Sequence, residues 1–344
     1  WYTILDIPGP GPTQRKVGGY FNSDGTAFTP VGGTLSGTST PPVTGESIAV
    51  DTAAGLMFVG NSDHLSVSVY NFNTNALIQT IQVGNPNAGG TTDDDLVFSL
   101  AVDPINHMLF VNRFDGTSTG IVKIAYNPTA ATPIDTTANA NTYLGSQQFL
   151  ITNAGTTAAY DGVHGYTFGT AFELDIATHK LYYTDYDSNF TGSFGGANFV
   201  GTNGIYVVSD YTAASPTVTQ LTLSSQFPAN GSNGYIGQMA VDDAKGLIYF
   251  TVSDLSLTTG QAHLYYMPIA GGTATKISDI DNVNIGDVIT GGLSLDVQSQ
   301  QLYLSLAYFD PGGPGVGVDP TANANHVLKY QISADGHTLT LLDS

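Results

Sequence analysis

The amino-acid sequence predicts an all-β protein, and two observations lead to that expectation. First, the 344 residues include 41 Gly and 19 Tyr, together with many Thr, Asn and Ser, which are residues of strands and turns. Second, Glu46 and Glu173 are the only glutamates, and Lys plus Arg number only 8. Because Glu, Lys and Arg fill the exposed faces of helices, this composition argues against helix bundles and doubly wound α/β folds.

Composition also excludes several kinds of function. The net charge is −20, so the clustered Lys and Arg that a nucleic-acid binder needs are missing. The absence of Cys excludes disulfides, Cys-ligated metals and thiol nucleophiles. No apolar run approaches the ~18 to 20 residues of a membrane-spanning helix. This composition is typical of a secreted or cell-surface protein, and we expect a bacterial one, either a processed mature chain or a segment of a larger polypeptide.

A strand–turn–strand pattern occurs five times in the sequence. Each copy has a short apolar strand that ends in Asp, then a turn, then a second apolar strand. The copies are ESIAVDTAAGLMFVGNSD (46–63), FSLAVDPINHMLFVNRFD (98–115), TAFELDIATHKLYYTDYD (170–187), GQMAVDDAKGLIYFTVSD (237–254) and GGLSLDVQSQQLYLSLAY (291–308). The aspartates that end the first strands form one column: Asp51, Asp103, Asp175, Asp242 and Asp296.

Two further strands follow each copy. Third strands are predicted at 65–72, 120–127, 204–211, 263–269 and 326–333, and fourth strands at 77–83, 147–152, 217–223, 274–278 and 339–343. Units of four antiparallel strands, repeated along the chain, are the signature of a β-propeller.

We therefore predict a single β-propeller domain over residues 1–344. The predicted complete blades are 44–95, 96–162, 163–234, 235–287 and 288–344. Residues 1–43 are predicted to form a partial blade, because 16–29 resembles the third and fourth strands of the last copy and 2–7 resembles a first strand. Six blades are favoured, and five are the alternative.

The repeat resembles the six-bladed propellers of the LDL-receptor YWTD and NHL type. The AVD strand and the segment LYYTD (181–185) carry this resemblance, since Asp175 and Asp185 keep the ten-residue separation of that repeat. The other four copies lack the second aspartate. The resemblance implies a fold and no particular function, because propellers host many functions.

Propeller topology divides the loops between two faces. The turns that join the first and second strands, here called the first turns, lie on the lower face. The Asp that opens each first turn is predicted to be structural, because Asp in that position accepts backbone N–H bonds. The loops that join the second strand to the third and one blade to the next lie on the opposite, upper face, which gathers so many Asp that its field would attract cations or a basic partner.

The upper face supplies the candidate binding residues. We expect a protein or glycan ligand to contact side chains from several repeats, and aromatic residues in the long loops could stack on it. The seven His are scattered without an HExxH motif, so zinc is not expected. The candidate binding residues are Asp63, His64, Asp115, His164, Asp187, Asp254 and Asp310.

Calcium is the predicted cofactor. Ca²⁺ takes oxygen ligands from Asp, Asn and backbone carbonyls, often in Gly-rich loops, although no loop here matches an EF-hand. The alternative is that these aspartates are merely solvated. The candidate ligands are Asp93, Asp94, Asp95, Asp281 and Asp287.

Three functions remain open from the sequence. The first is an extracellular, non-catalytic propeller module for adhesion, recognition or assembly. The second is a metal-dependent hydrolase or lactonase-like enzyme. The metal ligands of such an enzyme would be expected at the starts of the first strands, where only Glu46 is acidic. Glu173 could line the channel, and no GxSxG motif occurs. The third is a self-assembling subunit of a surface layer or filament.

Overall fold

The structure is a computed structural model. Strands and turns make up all of the chain that it describes, and that part contains no helix capable of crossing a membrane. The described residues are 2–7, 15–21, 28–30, 45–61, 65–84, 95–115, 119–136, 147–153, 171–186, 203–213, 216–223, 228–229, 232–233, 235–253, 262–280, 288–308 and 326–343.

The first half of the chain forms three sheets. The three-stranded N-terminal sheet contains β1 (Tyr2–Ile7), β2 (Arg15–Phe21) and β3 (Phe28–Pro30). Sheet I contains β4 (Gly45–Asp51), β5 (Leu56–Asn61), β6 (Ser66–Asn71) and β7 (Leu77–Gln82). Sheet II contains β8 (Asp95–Asp103), β9 (Met108–Asp115), β10 (Thr119–Ala125) and β11 (Gln147–Asn153).

The second half forms three further four-stranded sheets and one short hairpin. Sheet III contains β12 (Phe172–Asp175), β13 (Lys180–Tyr186), β14 (Asn203–Ser209) and β15 (Thr217–Leu223). The hairpin is β16 (Pro228–Ala229) with β17 (Ser232–Asn233). Sheet IV contains β18 (Tyr235–Asp242), β19 (Leu247–Ser253), β20 (Ala262–Pro268) and β21 (Thr275–Asp279). Sheet V contains β22 (Val288–Asp296), β23 (Gln301–Tyr308), β24 (His326–Ile332) and β25 (Leu339–Asp343).

All five predicted four-strand repeats are confirmed. In each sheet the strands are antiparallel and lie side by side in chain order, as in a propeller blade. At the N-terminus, β1 pairs directly with β2, and β2 pairs with β3. The number of blades stays a prediction.

The chain divides into two compact units, Trp1–Gly162 and Val163–Ser344. The first unit contains the N-terminal sheet and sheets I and II, and the second contains sheets III to V. That the whole chain forms one domain stays a prediction.

The cores lie between successive sheets of each unit. In the first unit, Phe58 and Val67 of sheet I belong to the same apolar cluster as Val111 of sheet II. In the second unit, one cluster joins sheets III and IV and another joins sheets IV and V. Strand β5 is buried on both faces, because a central strand in stacked sheets contacts neighbours on both sides.

The first strands are equivalent, as the repeat predicts. The residue three positions before the Asp of each first turn pairs with the residue that follows the aromatic position of the second strand. The pairs are Ile48 with Val59, Leu100 with Val111, Phe172 with Tyr183, Met239 with Phe250 and Leu293 with Leu304.

The aromatic column of the second strands is buried in four of the five sheets. Phe58, Phe110, Tyr182 and Tyr249 are each 0% exposed. Tyr303, the fifth member of the column, is partly exposed, and the Lys329 ammonium lies 5.7 Å from its ring centroid.

Gly336 shows how a later sheet covers this column. The Tyr249 hydroxyl of sheet IV donates to the Gly336 carbonyl of sheet V at 2.9 Å. Gly336 has φ +80°, and a Cβ there would lie 2.5 Å from Leu247 Cδ1 and 2.9 Å from the Tyr249 hydroxyl. Only glycine suits both the conformation and the close approach.

Strand β25 leaves large apolar side chains in solvent. It pairs with β24 along one edge and is the terminal strand of sheet V. Leu341 and Leu342 are 51% and 49% exposed, and Val327 on β24 is 40% exposed.

Truncation of the buried aromatic column is expected to destabilise the fold. Phe58→Ala, Phe110→Ala or Tyr249→Ala should each lower the free energy of unfolding by roughly 3 to 5 kcal/mol, because each removes a fully buried ring and leaves a cavity. Tyr303→Ala is the matched control and should cost clearly less. Urea denaturation of each variant measures these losses, and a loss below about 1 kcal/mol at two buried positions would contradict the packing.

Candidate functional site

The Asp column of the first turns is structural, as predicted. In all five turns a carboxylate oxygen accepts the backbone N–H of the residue three positions later, at 2.9 to 3.1 Å. Four of the five carboxylates are nearly inaccessible, and Asp296 is exposed. The donors are the N–H groups of Ala54, Asn106, Thr178, Lys245 and Ser299.

Each first turn also ends with a residue in the left-handed region, at φ between 51° and 66°. Its carbonyl accepts a hydrogen bond from a backbone N–H at the end of the third strand or just beyond it, at 2.8 to 2.9 Å in all five sheets. This assigns His107 and His179 a turn-forming role, since His tolerates positive φ better than most residues. The left-handed residues are Gly55, His107, His179, Gly246 and Gln300.

The lower ends of sheets I and II are joined by a buried hydrogen bond. The Tyr126 hydroxyl, just beyond β10, donates to Asp51 Oδ2 at 2.7 Å. Its ring packs on Phe58 with centroids 5.2 Å apart. Burial, reinforced by the Asp51 carboxylate, raises the pKa of Tyr126 far above its usual range, so this donor keeps its proton at every physiological pH.

Two of the predicted site residues are opposite each other in the structure. Asp95 begins β8 and Asp115 ends β9, and these two residues are register partners in the antiparallel ladder. Asp93 and Asp94 come directly before β8 in the sequence. Of the predicted site residues, those outside the described part of the chain are Asp63, His64, Asp93, Asp94, His164, Asp187, Asp254, Asp281, Asp287 and Asp310.

A second group of acids lies where sheet III meets sheet IV. Asp175, 1% exposed, ends β12, and Asp243 lies in the first turn of sheet IV, close enough for the two carboxyl groups to interact electrostatically. Burial, with the Asp175 charge next in importance, raises the pKa of Asp243 to about 6. Burial, followed by the Asp243 charge, raises the pKa of Glu173 to about 8.

Tyr182 completes this group. It is the register partner of Glu173, and its buried hydroxyl has no hydrogen-bond partner among the described residues. Burial and then the charges of Asp175 and Asp243 raise its pKa well above the usual value. The sequence carried a signal for this group, because the fourth copy reads VDDAKG, with a second Asp where the other copies have none.

Metal-ligating geometry is absent from the part of the chain that the structure describes. No group of three or more His, Asp or Glu side chains is arranged there to hold a metal ion. Most of the predicted calcium ligands lie outside that part, so the calcium site stays a prediction.

Solved structures resemble this chain in fold. The putative TolB of Agrobacterium tumefaciens has a TM-score of 0.52 at 12% identity, over 93% of this chain and 86% of that chain. A putative 6-phosphogluconolactonase of Bacteroides uniformis has a TM-score of 0.51 at 10% identity, over 98% and 80%. At such identities the likeness concerns the fold alone, and with the five four-stranded sheets it confirms the predicted β-propeller class.

The remaining comparisons, with one larger protein, with protein families and with curated proteins, do not indicate a function. This chain spans 61% of the length of the Kuenenia stuttgartiensis hydrazine synthase chain that it resembles, and 76% of this chain is covered, at a TM-score of 0.47 and 14% identity. No protein-family model and no curated protein matches the chain.

The bond between Tyr126 and Asp51 should contribute measurably to stability. Tyr126→Phe leaves a buried carboxylate oxygen without its donor, and Asp51→Asn weakens the same bond from the other side. We expect a coupling free energy of about 1.5 to 3 kcal/mol, as for hydrogen bonds to a charged group. A double-mutant cycle by urea denaturation measures it, and a coupling below about 0.5 kcal/mol would show that the two side chains act independently.

Proposed function

We propose that this β-propeller is a non-catalytic recognition module of a secreted or cell-surface protein, and that it binds Ca²⁺ at the acidic end of the β8–β9 ladder. The observation that supports the proposal is the opposition of Asp95 and Asp115 in register. Like charges directly opposite each other in an antiparallel pair are destabilising. A bound divalent cation would remove that cost.

The neighbouring sequence strengthens the argument for Ca²⁺. Asp93 and Asp94 precede Asp95 in the sequence, and Asp115 of β9 is the register partner of Asp95. Four aspartates therefore belong to this end of the ladder or to the residues just before it. Ca²⁺ accepts six to eight oxygen ligands in flexible geometry, whereas Mg²⁺ gives up its waters reluctantly. We therefore expect this position to select Ca²⁺ over Mg²⁺.

The net charge of −20 supports a recognition role for the acidic loops. Such a charge repels anions and draws basic surfaces, so a protein ligand with exposed Lys or Arg is the favoured partner. A glycan bound through calcium is the other possibility. Binding of a lysine-rich peptide that weakens with added NaCl would support the first, and binding that EDTA abolishes would support the second.

Calcium is expected to stabilise the protein specifically. A cation that binds only the folded state contributes about 2.7 kcal/mol at a hundredfold excess over its dissociation constant. Millimolar CaCl₂ should therefore raise the melting temperature more than NaCl of matched ionic strength does, and MgCl₂ should raise it less. Differential scanning calorimetry in the three salts measures this.

A charge-matched control tests the location of the site. Changing Asp93, Asp94 and Asp95 together to Asn should remove most of the calcium-specific increase in melting temperature. The control changes three exposed aspartates, Asp135, Asp210 and Asp335, to Asn, and so removes the same negative charge without touching the β8–β9 ladder. Equal melting temperatures in CaCl₂ and matched NaCl, or equal losses in both triple variants, would rule out the proposed site.

Lactone hydrolysis is the second candidate function. Glu173, whose pKa of about 8 lets it exchange protons near neutral pH, supports it as a candidate general acid or base. The likeness to a putative 6-phosphogluconolactonase suggests the substrate class. Because the chain carries a net charge of −20, an uncharged lactone is a better candidate than a phosphorylated one.

A pH-stat assay with gluconolactone distinguishes this candidate. If Glu173 transfers a proton, Glu173→Gln should lower the rate by about 10²-fold or more, while Asp210→Asn, at an exposed carboxylate, should not. Hydrolysis by the unaltered chain at no more than the spontaneous rate would exclude the activity.

A further inference from the structure

Arg113 is the one buried cation in the part of the chain that the structure describes. It belongs to β9 of sheet II and is 3% exposed. Arginine stays charged in proteins, and a charge so deeply buried is rarely found without an opposite charge beside it. The surroundings of Arg113 should therefore include a carboxylate that compensates the guanidinium.

The guanidinium of Arg113 lies against sheet I. Gly84, two residues past the end of β7, leaves the space for it, because a Cβ at Gly84 would lie 2.8 Å from Arg113 Nη1 and would overlap the Leu65 side chain. Val111, two residues before Arg113 on β9, belongs to the apolar cluster that joins sheets I and II. Since residues two apart on a strand share a face, both observations place Arg113 on the face of sheet II that packs on sheet I.

The next pair of the ladder on that face consists of two aspartates of the proposed calcium site. Arg113 is the register partner of Val97, and a Cβ at Gly60 of sheet I would lie 2.6 Å from Val97 Cγ1. Two residues further on, Asp115 is the register partner of Asp95. The only register shift of this ladder lies between Val97 and the residues toward the first turn, so the two pairs follow each other regularly at ~7 Å.

We propose that Arg113 is the internal counter-ion of the Asp95–Asp115 pair, and that it limits how strongly this end of the ladder attracts Ca²⁺. A guanidinium has five donors in a planar fork, which suits it to bind two carboxylates at once. One guanidinium offsets one of the four aspartate charges gathered there, and the remaining charge is left for a divalent cation. Only the calcium-dependent part of this inference rests on the proposed function.

The guanidinium acts in opposite directions in the two states of the site. Without calcium it holds together two carboxylates that would otherwise repel each other, so it stabilises the fold. With calcium bound it repels the ion, since like charges at short range oppose each other. Loss of the positive charge should therefore destabilise the calcium-free chain more than the calcium-bound chain, whereas loss of packing alone would affect both equally.

The first test measures melting temperatures in EDTA and in CaCl₂ of matched ionic strength. Arg113→Gln should lower the melting temperature in EDTA, and the increase on adding CaCl₂ should exceed that of the unaltered chain by about 2 °C or more. Arg113→Lys keeps the charge and should return the increase most of the way to its original size. Lys276→Gln removes the same charge from an exposed position in the other compact unit, and should leave the increase unchanged.

A double-mutant cycle in EDTA tests the counter-ion without any calcium. Combining Arg113→Gln with Asp115→Asn should cost less than the sum of the two single losses, because each single change leaves one charge of the pair uncompensated. Additive losses would overturn the proposal. If the unaltered chain gains nothing from CaCl₂ but the cycle shows coupling, the calcium site fails and the counter-ion stands.

NMR of the unaltered chain keeps the test decisive if a variant fails to fold. Arg15 and Arg113 are the only arginines, so a chain labelled with ¹⁵N-arginine gives two Nε–H signals. The Arg113 signal should be the one that exchanges slowly with water, because its side chain is buried. CaCl₂ should shift this signal more than MgCl₂ does, and Asp115→Asn should shift it in EDTA. A slowly exchanging signal that moves under neither condition would overturn the proposal.

Discussion

The hydrogen bond from a backbone N–H to the aspartate three residues earlier is the interaction on which each four-stranded sheet depends. It ends the first strand and sets the first turn, which closes on a residue with positive φ. The carbonyl of that residue then accepts a bond from the end of the third strand. One side chain in each repeat thus fixes the mutual register of three strands. Because four of these carboxylates are buried, losing one would leave a turn with unpaired amides.

The register set by this turn explains how aromatic rings reach the space between sheets. Each ring lies two residues beyond the first residue of the second strand, in β5, β9, β13, β19 and β23 alike. The turn therefore decides which face of the second strand carries the ring. Burial of Phe58 and Tyr249 follows from this placement, together with a following sheet to cover them. At Tyr303 the same placement leaves the ring partly exposed.

Much of the fold could be predicted from the sequence because the repeat records it five times. The bounds of β15 and β25 agree with the predicted strands at both ends, and the others differ by one or two residues. The turn role of Asp51 and its equivalents was also predictable, since Asp has a known preference there. The left-handed conformation of His107, His179 and Gln300 was harder to foresee, because only two of the five copies carry glycine at that position.

The candidate sites depended on information that a single repeat does not contain. The opposition of Asp95 and Asp115 requires the register of β8 against β9, in which a shift between Val97 and Ser99 changes the pairing. The proximity of Asp175 to Asp243 depends on how two sheets stack, and no spacing along the chain encodes that distance. The doubled aspartate of the fourth copy marked the position, but its partner became evident only from the stacking.

The exposed strand β25 has a consequence for how the protein behaves in concentrated solution. A terminal strand offers unpaired backbone groups along its outer edge, and Leu341 and Leu342 add apolar surface to it. On β25 only the charge of Asp343 opposes pairing with another strand, because the sequence LTLLD has no lysine or proline. Protection has to come from the whole molecule, whose net charge of −20 keeps two copies apart at neutral pH. Salt or acid, which weaken that repulsion, would therefore favour pairing of this strand with another copy.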